Sequence, residues 1–142
     1  MTDPFILKHL PHRPPFLWLD RVVAVDETTI TAETRIAEDL PLFAGHYPDY
    51  PLMPGVLLCE AVFQAGALLL GHRADATDGK GLPVLTRILG ARFKREVRPG
   101  DLLTVSATLQ ERLGPAWLLK GTVRVGGKVA VQVEFACALR EG

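Results

Sequence analysis

The sequence predicts an α+β fold in which a curved antiparallel sheet wraps around one central helix. Three observations carry this expectation. The stretch from Gly55 to about Arg73 is apolar on nearly every side of a helix, the pattern of a helix buried all round. Three runs between Leu103 and Leu139 alternate apolar and polar residues with a period of two, as half-exposed strands do. One buried helix and a long antiparallel sheet can share a core only if the sheet curls around the helix.

Each element has its own justification. Val22 to Val25 is a short apolar run after Asp20 and Arg21, and Asp26-Glu27-Thr28-Thr29 reads as a turn. Ile30, Ala32, Thr34 and Ile36 then alternate with Thr31, Glu33 and Arg35, completing an N-terminal hairpin. Glu38 to Pro54 is irregular, because Pro41, Pro48, Pro51 and Pro54 exclude a continuous helix or a central strand. That long shaped loop carries Gly45, His46, Tyr47, Asp49 and Tyr50, and loops of this kind are where function tends to sit. After the helix, Ala74 to Gly81 reads as a surface loop, and a strand over about Val84 to Arg95 leads to a turn at Arg98-Pro99-Gly100-Asp101. Gly114-Pro115 and Gly126-Gly127 separate the last three strands, the second pair being a two-residue hairpin signal. With no internal repeat or linker, the expectation is one domain over residues 1–142.

Composition narrows the function classes. The chain has 142 residues, with 16 Lys plus Arg against 16 Asp plus Glu, so its formal charge is zero and a nucleic-acid partner is not expected. The zero is a sum of separated patches. Residues 20–39 hold six acids and two bases, whereas Arg87, Arg92, Lys94, Arg95 and Arg98 face only Glu96. The basic stretch reads either as a solvated strand face or as a docking site for an acidic partner. Cys59 and Cys137 lie on apolar elements and read as core thiols, too few for a disulfide framework or a structural zinc site. Four histidines without ligand spacing give no metal signature. Met1 to Arg13 lacks the marks of a signal peptide, and Val56 to Leu70, with Glu60 and Gln64 inside it, reads as too short and too polar to span a bilayer. A cytoplasmic protein with no membrane partner is the resulting expectation.

Three positions could carry chemistry. Glu60 sits in the middle of the apolar helix beside Leu57, Leu58, Ala61 and Phe63. It is either a satisfied carboxylate, bonded to Gln64 one turn on and facing solvent, or a carboxyl that apolar surroundings keep in its acid form for use as a general acid. His46, in the proline-rich loop, is either an inert loop histidine or a base. Pro54-Gly55 opens the helix, whose first N–H groups lack partners and can hold a developing oxyanion. His9, His12 and His72 are weaker candidates. Ser106 has no base nearby in sequence, and neither a GxSxG elbow nor a glycine-rich phosphate loop occurs.

Gly45-His46-Tyr47-Pro48, Pro51, Met53-Pro54-Gly55-Val56-Leu57, Glu60-Ala61 and Gln64 together resemble the FabZ-type 3-hydroxyacyl-[acyl-carrier-protein] dehydratases. Leu10-Pro11-His12-Arg13 with Pro15-Phe16-Leu17 and Asp20-Arg21 is similar to the family's N-terminal signature. Ala91-Arg92-Phe93-Lys94 with Val97 and Pro99-Gly100-Asp101 is similar to its third block. The resemblance implies a hot-dog fold and a homodimer whose sheets join, often assembled into a trimer of dimers. It implies active sites that pair the loop histidine of one subunit with the helix glutamate of the other, here His46 and Glu60. The helix-start amide falls to Gly55, and supporting or substrate-binding positions fall to Val56, Gln64, Tyr47 and Phe93. It further implies an acyl thioester substrate on acyl carrier protein, no cofactor or metal, and docking of the carrier on Arg92, Lys94, Arg95 and Arg98. The implied reaction removes water from a (3R)-3-hydroxyacyl thioester to give the trans-2-enoyl thioester, in fatty-acid or related acyl or polyketide synthesis. Two other readings stand beside it: a hot-dog thioesterase with Glu60 activating water, and a non-catalytic module that binds the carrier or its thioester.

The chain departs from the family pattern at several points. Tyr47 replaces the more usual phenylalanine, and Asp49-Tyr50 replaces a small, glycine-containing pair at the rim of the site. Trp18 stands where an aliphatic residue is usual, Thr86 to Gly90 lacks the expected Gly-Ile-Asp, and no tyrosine follows Tyr50 to act as a gate.

Overall fold

The computed structural model describes residues 2–73 and 82–140, so the expected Ala74–Gly81 loop lies outside the described residues. Among the described residues, six antiparallel strands form one sheet: β1 (Arg21–Val25), β2 (Thr29–Arg35), β3 (Leu82–Phe93), β4 (Leu102–Leu113), β5 (Ala116–Val125) and β6 (Lys128–Arg140). Their spatial order is β1-β2-β4-β5-β6-β3. The helix α2 (Gly55–His72) packs on the inner face, and this is the hot-dog arrangement of a curved sheet around a helix.

The meander β4-β5-β6 follows from its turns. Gly126 and Gly127 take φ of 57° and 78°, the left-handed pair that a two-residue hairpin needs, and Gly114 takes 61° at the preceding turn. The alternation puts Trp117, Leu119 and Val123 of β5 and Val131, Val133, Phe135 and Cys137 of β6 into the core, opposite Leu58, Val62, Ala65 and Leu69 of α2. The helix lies very close to the sheet at Gly121. A Cβ there would come within 2.5 Å of Val62 Cγ1 and would also strike the Ser106 carbonyl oxygen. The neighbouring contact is between Gly66 and the Phe135 ring, 2.9 Å from where a Cβ would stand.

Some elements differ from the sequence expectation. A short helix, α1 (Pro4–His9), precedes the hairpin. Asp3 caps it by accepting the Phe5 N–H at 2.9 Å, Pro4 fits the first turn, and Ile6 is buried in the core. The proline-rich loop opens with one turn of 3₁₀ helix, Pro41–Gly45. By length and mean hydropathy α2 is sufficient to cross a membrane, which corrects the expectation that it is too short and too polar. In this fold 61% of that span is buried inside the protein, as for the core helix of a globular domain. Burial is not uniform: Val56, at the start of the helix, is 73% exposed.

β3 ends the sheet. Its partner is β6, from Leu82 opposite Arg140 to Phe93 opposite Val131, and no described strand covers its other edge. Two register shifts, at Leu85/Arg87 and Ile88/Gly90, interrupt the pairing. Val84, Leu85, Ile88, Leu89 and Phe93 are all exposed along it.

Candidate active site

The loop after the 3₁₀ turn is built to hold His46 still. The ring's Nδ1 lies 2.9 Å from the Leu52 carbonyl oxygen. A carbonyl only accepts, so Nδ1 carries the hydrogen and Nε2 is left as the basic nitrogen. Tyr47 follows with φ 51°, a left-handed conformation that turns the chain sharply, and its ring meets the imidazole edge-on at 4.7 Å. The Tyr50 N–H closes the turn on the Tyr47 carbonyl at 2.8 Å, and Met53 N–H donates to Val97 O at 2.7 Å.

Tyr50 ties the same loop to the segment after β3. Its hydroxyl donates to Glu96 at 2.7 Å and accepts from Arg98 at 2.5 Å, and the guanidinium stands 5.1 Å from the ring centroid. The Tyr50 and Arg98 hydrogen bonds hold the Glu96 carboxyl below its ordinary range, while the bond to Glu96 raises the Tyr50 phenol. The clamp is therefore made above the Glu96 titration and loosens as pH falls through it.

His46, Leu52, Met53, Gly55, Val56 and Phe93 surround a mainly apolar cavity of about 410 Å³, with Tyr47, Arg95 and Glu96 also on its wall. Gly55 is the first residue of α2, so its N–H has no acceptor within the helix. Glycine is fitted there because a Cβ would stand 2.6 Å from Phe93 Cε1. The structure thus brings together His46, Tyr47, Gly55, Val56 and Phe93. A larger concavity, about 570 Å³, lies over Ser106, Thr122, Lys120 and Glu134 and contains none of the proposed acid–base residues.

Glu60 is not in the His46 cavity of the same chain. It faces the N-terminal segment instead. Gln64 Nε2 donates to Glu60 Oε2 at 3.1 Å, the i to i+4 contact that the satisfied-carboxylate reading of Glu60 describes. Gln64 is fully buried, and its amide has one consistent orientation: Oε1 accepts the Trp18 N–H at 2.9 Å and Nε2 donates to the Phe16 carbonyl at 2.9 Å. Beside them His12 Nε2 lies 3.7 Å from Glu60 Oε2. Sequence reasoning passed over His12 because nothing local pairs it with a carboxylate. The available signal was Gln64 itself, a buried amide that had to find partners elsewhere in the chain.

The basic residues are exposed. Arg92 is near the end of β3, with Lys94, Arg95 and Arg98 just beyond. Arg98 also pairs with Glu96 at 3.2 Å, so part of its charge is already matched. Burial raises both thiols, Cys137 to about 12, which fits the reading of core cysteines.

Comparison with known proteins adds to this geometry. Residues 10–134 match the family model of the FabA-like domain. A 3-hydroxyacyl-[acyl-carrier-protein] dehydratase FabZ of Verminephrobacter eiseniae is 42% identical over 137 residues, covering 95% of this chain and 91% of that protein. The protein of the same name from Magnetococcus marinus is 41% identical over 146 residues, covering 99% and 95%. Among solved structures, the dehydratase heterocomplex ApeI:P of Xenorhabdus doucetiae superposes with a TM-score of 0.77 at 18% identity, covering 96% of this chain and 91% of that one, a likeness of fold.

Proposed function

The chain belongs to the FabA-like family, among the FabZ-type 3-hydroxyacyl-[acyl-carrier-protein] dehydratases, and from that membership we propose that it removes water from (3R)-3-hydroxyacyl thioesters carried on acyl carrier protein. The product is the trans-2-enoyl thioester, in fatty-acid or related acyl or polyketide synthesis. The observation that carries the residue assignment is the Nδ1 bond of His46 to the Leu52 carbonyl. It leaves a basic Nε2 in an apolar cavity that also holds the N-terminus of α2.

The chemistry needs three groups. A proton must leave C2, which is weakly acidic until its thioester carbonyl is polarised, and the Gly55 N–H supplies that polarisation. His46 Nε2 takes the C2 proton as general base. Glu60, in its acid form, gives its proton to the C3 hydroxyl as the C–O bond breaks and water leaves. The elimination is redox-neutral and calls on no electron carrier.

His46 and Glu60 have separate surroundings within one chain, so the proposed functional unit is a homodimer in which Glu60 of a second copy meets His46. The uncovered edge of β3, with its row of exposed apolar residues, supports pairing with a second copy. Further assembly into a trimer of dimers, a cytoplasmic setting, and carrier docking on Arg92, Lys94, Arg95 and Arg98 belong to the same proposal. Val56, Tyr47 and Phe93 would line the acyl site, with Gln64 behind Glu60.

The purified protein is expected to interconvert 3-hydroxybutyryl and crotonyl thioesters, read by enoyl-thioester absorbance. His46→Ala and Glu60→Gln are each expected to lose about 10²–10⁴-fold in rate while remaining folded. Release of free acid with no enoyl signal would favour the thioesterase reading and sink this one.

A further inference from the structure

His12 stands beside the proposed acid, and the chemistry above gives it no task. Its Nε2 is 3.7 Å from Glu60 Oε2, with the two side chains 30% and 22% exposed, and its Nδ1 is buried without a hydrogen-bond partner among the described residues. The ring stacks on Phe16 at 6.2 Å with an interplanar angle of 25°. The segment carrying both rings is fastened to α2 by Gln64, which holds Phe16 and Trp18 by their backbones while it donates to Glu60. Part-buried hydrogen bonds thus hold the segment that follows His12 against the helix that carries the carboxyl.

We propose that His12 is a positioning residue for the dehydration step: its Nε2–H stands beside Glu60 Oε2, which Gln64 Nε2–H holds as an acceptor, and stabilises the carboxylate that forms as Oε1 gives up its proton. The proposal rests on the reading of Glu60 as the general acid.

The role requires the tautomer in which the nitrogen facing Glu60 carries the hydrogen. Oε2 already accepts the Gln64 N–H, so the second donor also faces that oxygen and the acid proton sits on Oε1. At 3.7 Å the His12 contact is longer than a hydrogen bond. It gains most when the carboxyl becomes charged and draws the ring in. An interaction that strengthens as charge develops lowers the barrier and leaves substrate binding nearly unchanged.

The protons balance. The C2 proton moves to His46 Nε2, and the Glu60 proton leaves with the departing water. The resulting imidazolium and carboxylate are neutralised by proton exchange through solvent once the product has left. His12 gains and loses none. Few other charges bear on Glu60. Arg13 is turned to the carbonyls of Leu7, Leu10 and His12, and Gln64 is neutral. The buried polar side chains among the described residues are Thr34 and Gln64, so the sheet under α2 presents no charge, and His46 of the second copy is the remaining titratable group.

The test is the split between kcat and KM in His12→Phe, which keeps a ring on Phe16 and removes the donor, against His12→Gln, which restores an N–H. Dehydration of 3-hydroxybutyryl thioester is followed, with Glu60→Gln as the control. His12→Phe is expected to lose about tenfold in kcat with little change in KM. His12→Gln is expected to recover most of the lost kcat. Should His12→Phe fail to fold, His12→Met against His12→Gln, two unbranched side chains that differ in the donor, makes the same comparison. An unchanged kcat in His12→Phe, or a loss that His12→Gln does not recover, with Glu60→Gln inactive, overturns the role of His12 alone. An active Glu60→Gln overturns the acid reading, and this proposal with it.

Discussion

Replacing Gln64 with leucine separates the two tasks of that side chain. Leucine has nearly the volume of glutamine, so the change leaves little cavity, and what it removes is three hydrogen bonds. The Trp18 N–H and the Phe16 carbonyl lose partners held at 2.9 Å, and Glu60 Oε2 loses the donor at 3.1 Å. A buried backbone group left unpaired costs about 1–3 kcal/mol. Both backbone groups here are part-buried, so about 1–2 kcal/mol each is appropriate, or about 2–4 kcal/mol for the pair. With a urea m-value of about 2 kcal/mol/M, the unfolding midpoint should fall by about 1–2 M at fixed protein concentration, with m unchanged. Turnover should fall as well, since Glu60 and the 10–18 segment lose their common anchor. Gln64→Glu is the complementary case. It keeps an acceptor for Trp18 but removes the donor to Phe16 and sets a second carboxyl against Glu60, so it too should destabilise the fold. A Gln64→Leu protein within about 0.5 kcal/mol of the parent would refute the reasoning, because the amide would then not be holding the segment to the helix.

Three other outcomes are expected. Gly121→Ala should destabilise the fold by about 1–3 kcal/mol or prevent folding, because the added Cβ meets the Ser106 carbonyl, which cannot swing away as a side chain could; an unchanged melting temperature would contradict the close approach of α2 to β5. Tyr50→Phe removes the hydroxyl that joins the His46 loop to Glu96 and Arg98, and should lower kcat about two- to fivefold with little change in melting temperature; an unchanged rate would mean that the clamp does not position His46. Mixing His46→Ala with Glu60→Gln under conditions of subunit exchange should restore about a quarter of the parent activity, since half of the dimers would each hold one intact site. No recovery from exchanged subunits would place both residues of the site within one chain.

The legible parts of the fold were those whose signal is local. Gly126-Gly127 between two alternating runs describes a hairpin by itself, and the all-round apolarity of α2 requires cover on every side. α1 was missed because six residues are too few to display a period, although Asp3-Pro4 was a start signal. The strand pattern of β3 was legible only loosely. Its apolar residues come in adjacent pairs, Val84-Leu85 and Ile88-Leu89, and the register shifts at Leu85/Arg87 and Ile88/Gly90 break the alternation that a regular strand would show. Nothing local could say that β3 pairs with β6, since periodicity identifies a strand without naming its neighbour.

The same distinction runs through the site. His46, Gly55 and Glu60 stood out because each is out of character with its own surroundings: a histidine among prolines, a glycine opening a helix, a carboxyl on an apolar helix. His12 did not, because what gives it meaning is a tie between residues 16–18 and 64 that only the fold makes. The fold also divides the proposed chemistry in two. The base and the helix-start amide lie with Phe93 at the uncovered edge of the sheet, while the acid, its amide and His12 lie against the N-terminal segment. Each half is held by contacts within one chain, so the protomer can fix the geometry of its base and its acid separately. In the proposed dimer only their meeting needs a second copy. The apolar residues along β3 add little to the protomer's own core, and they are the surface through which such a meeting would be made.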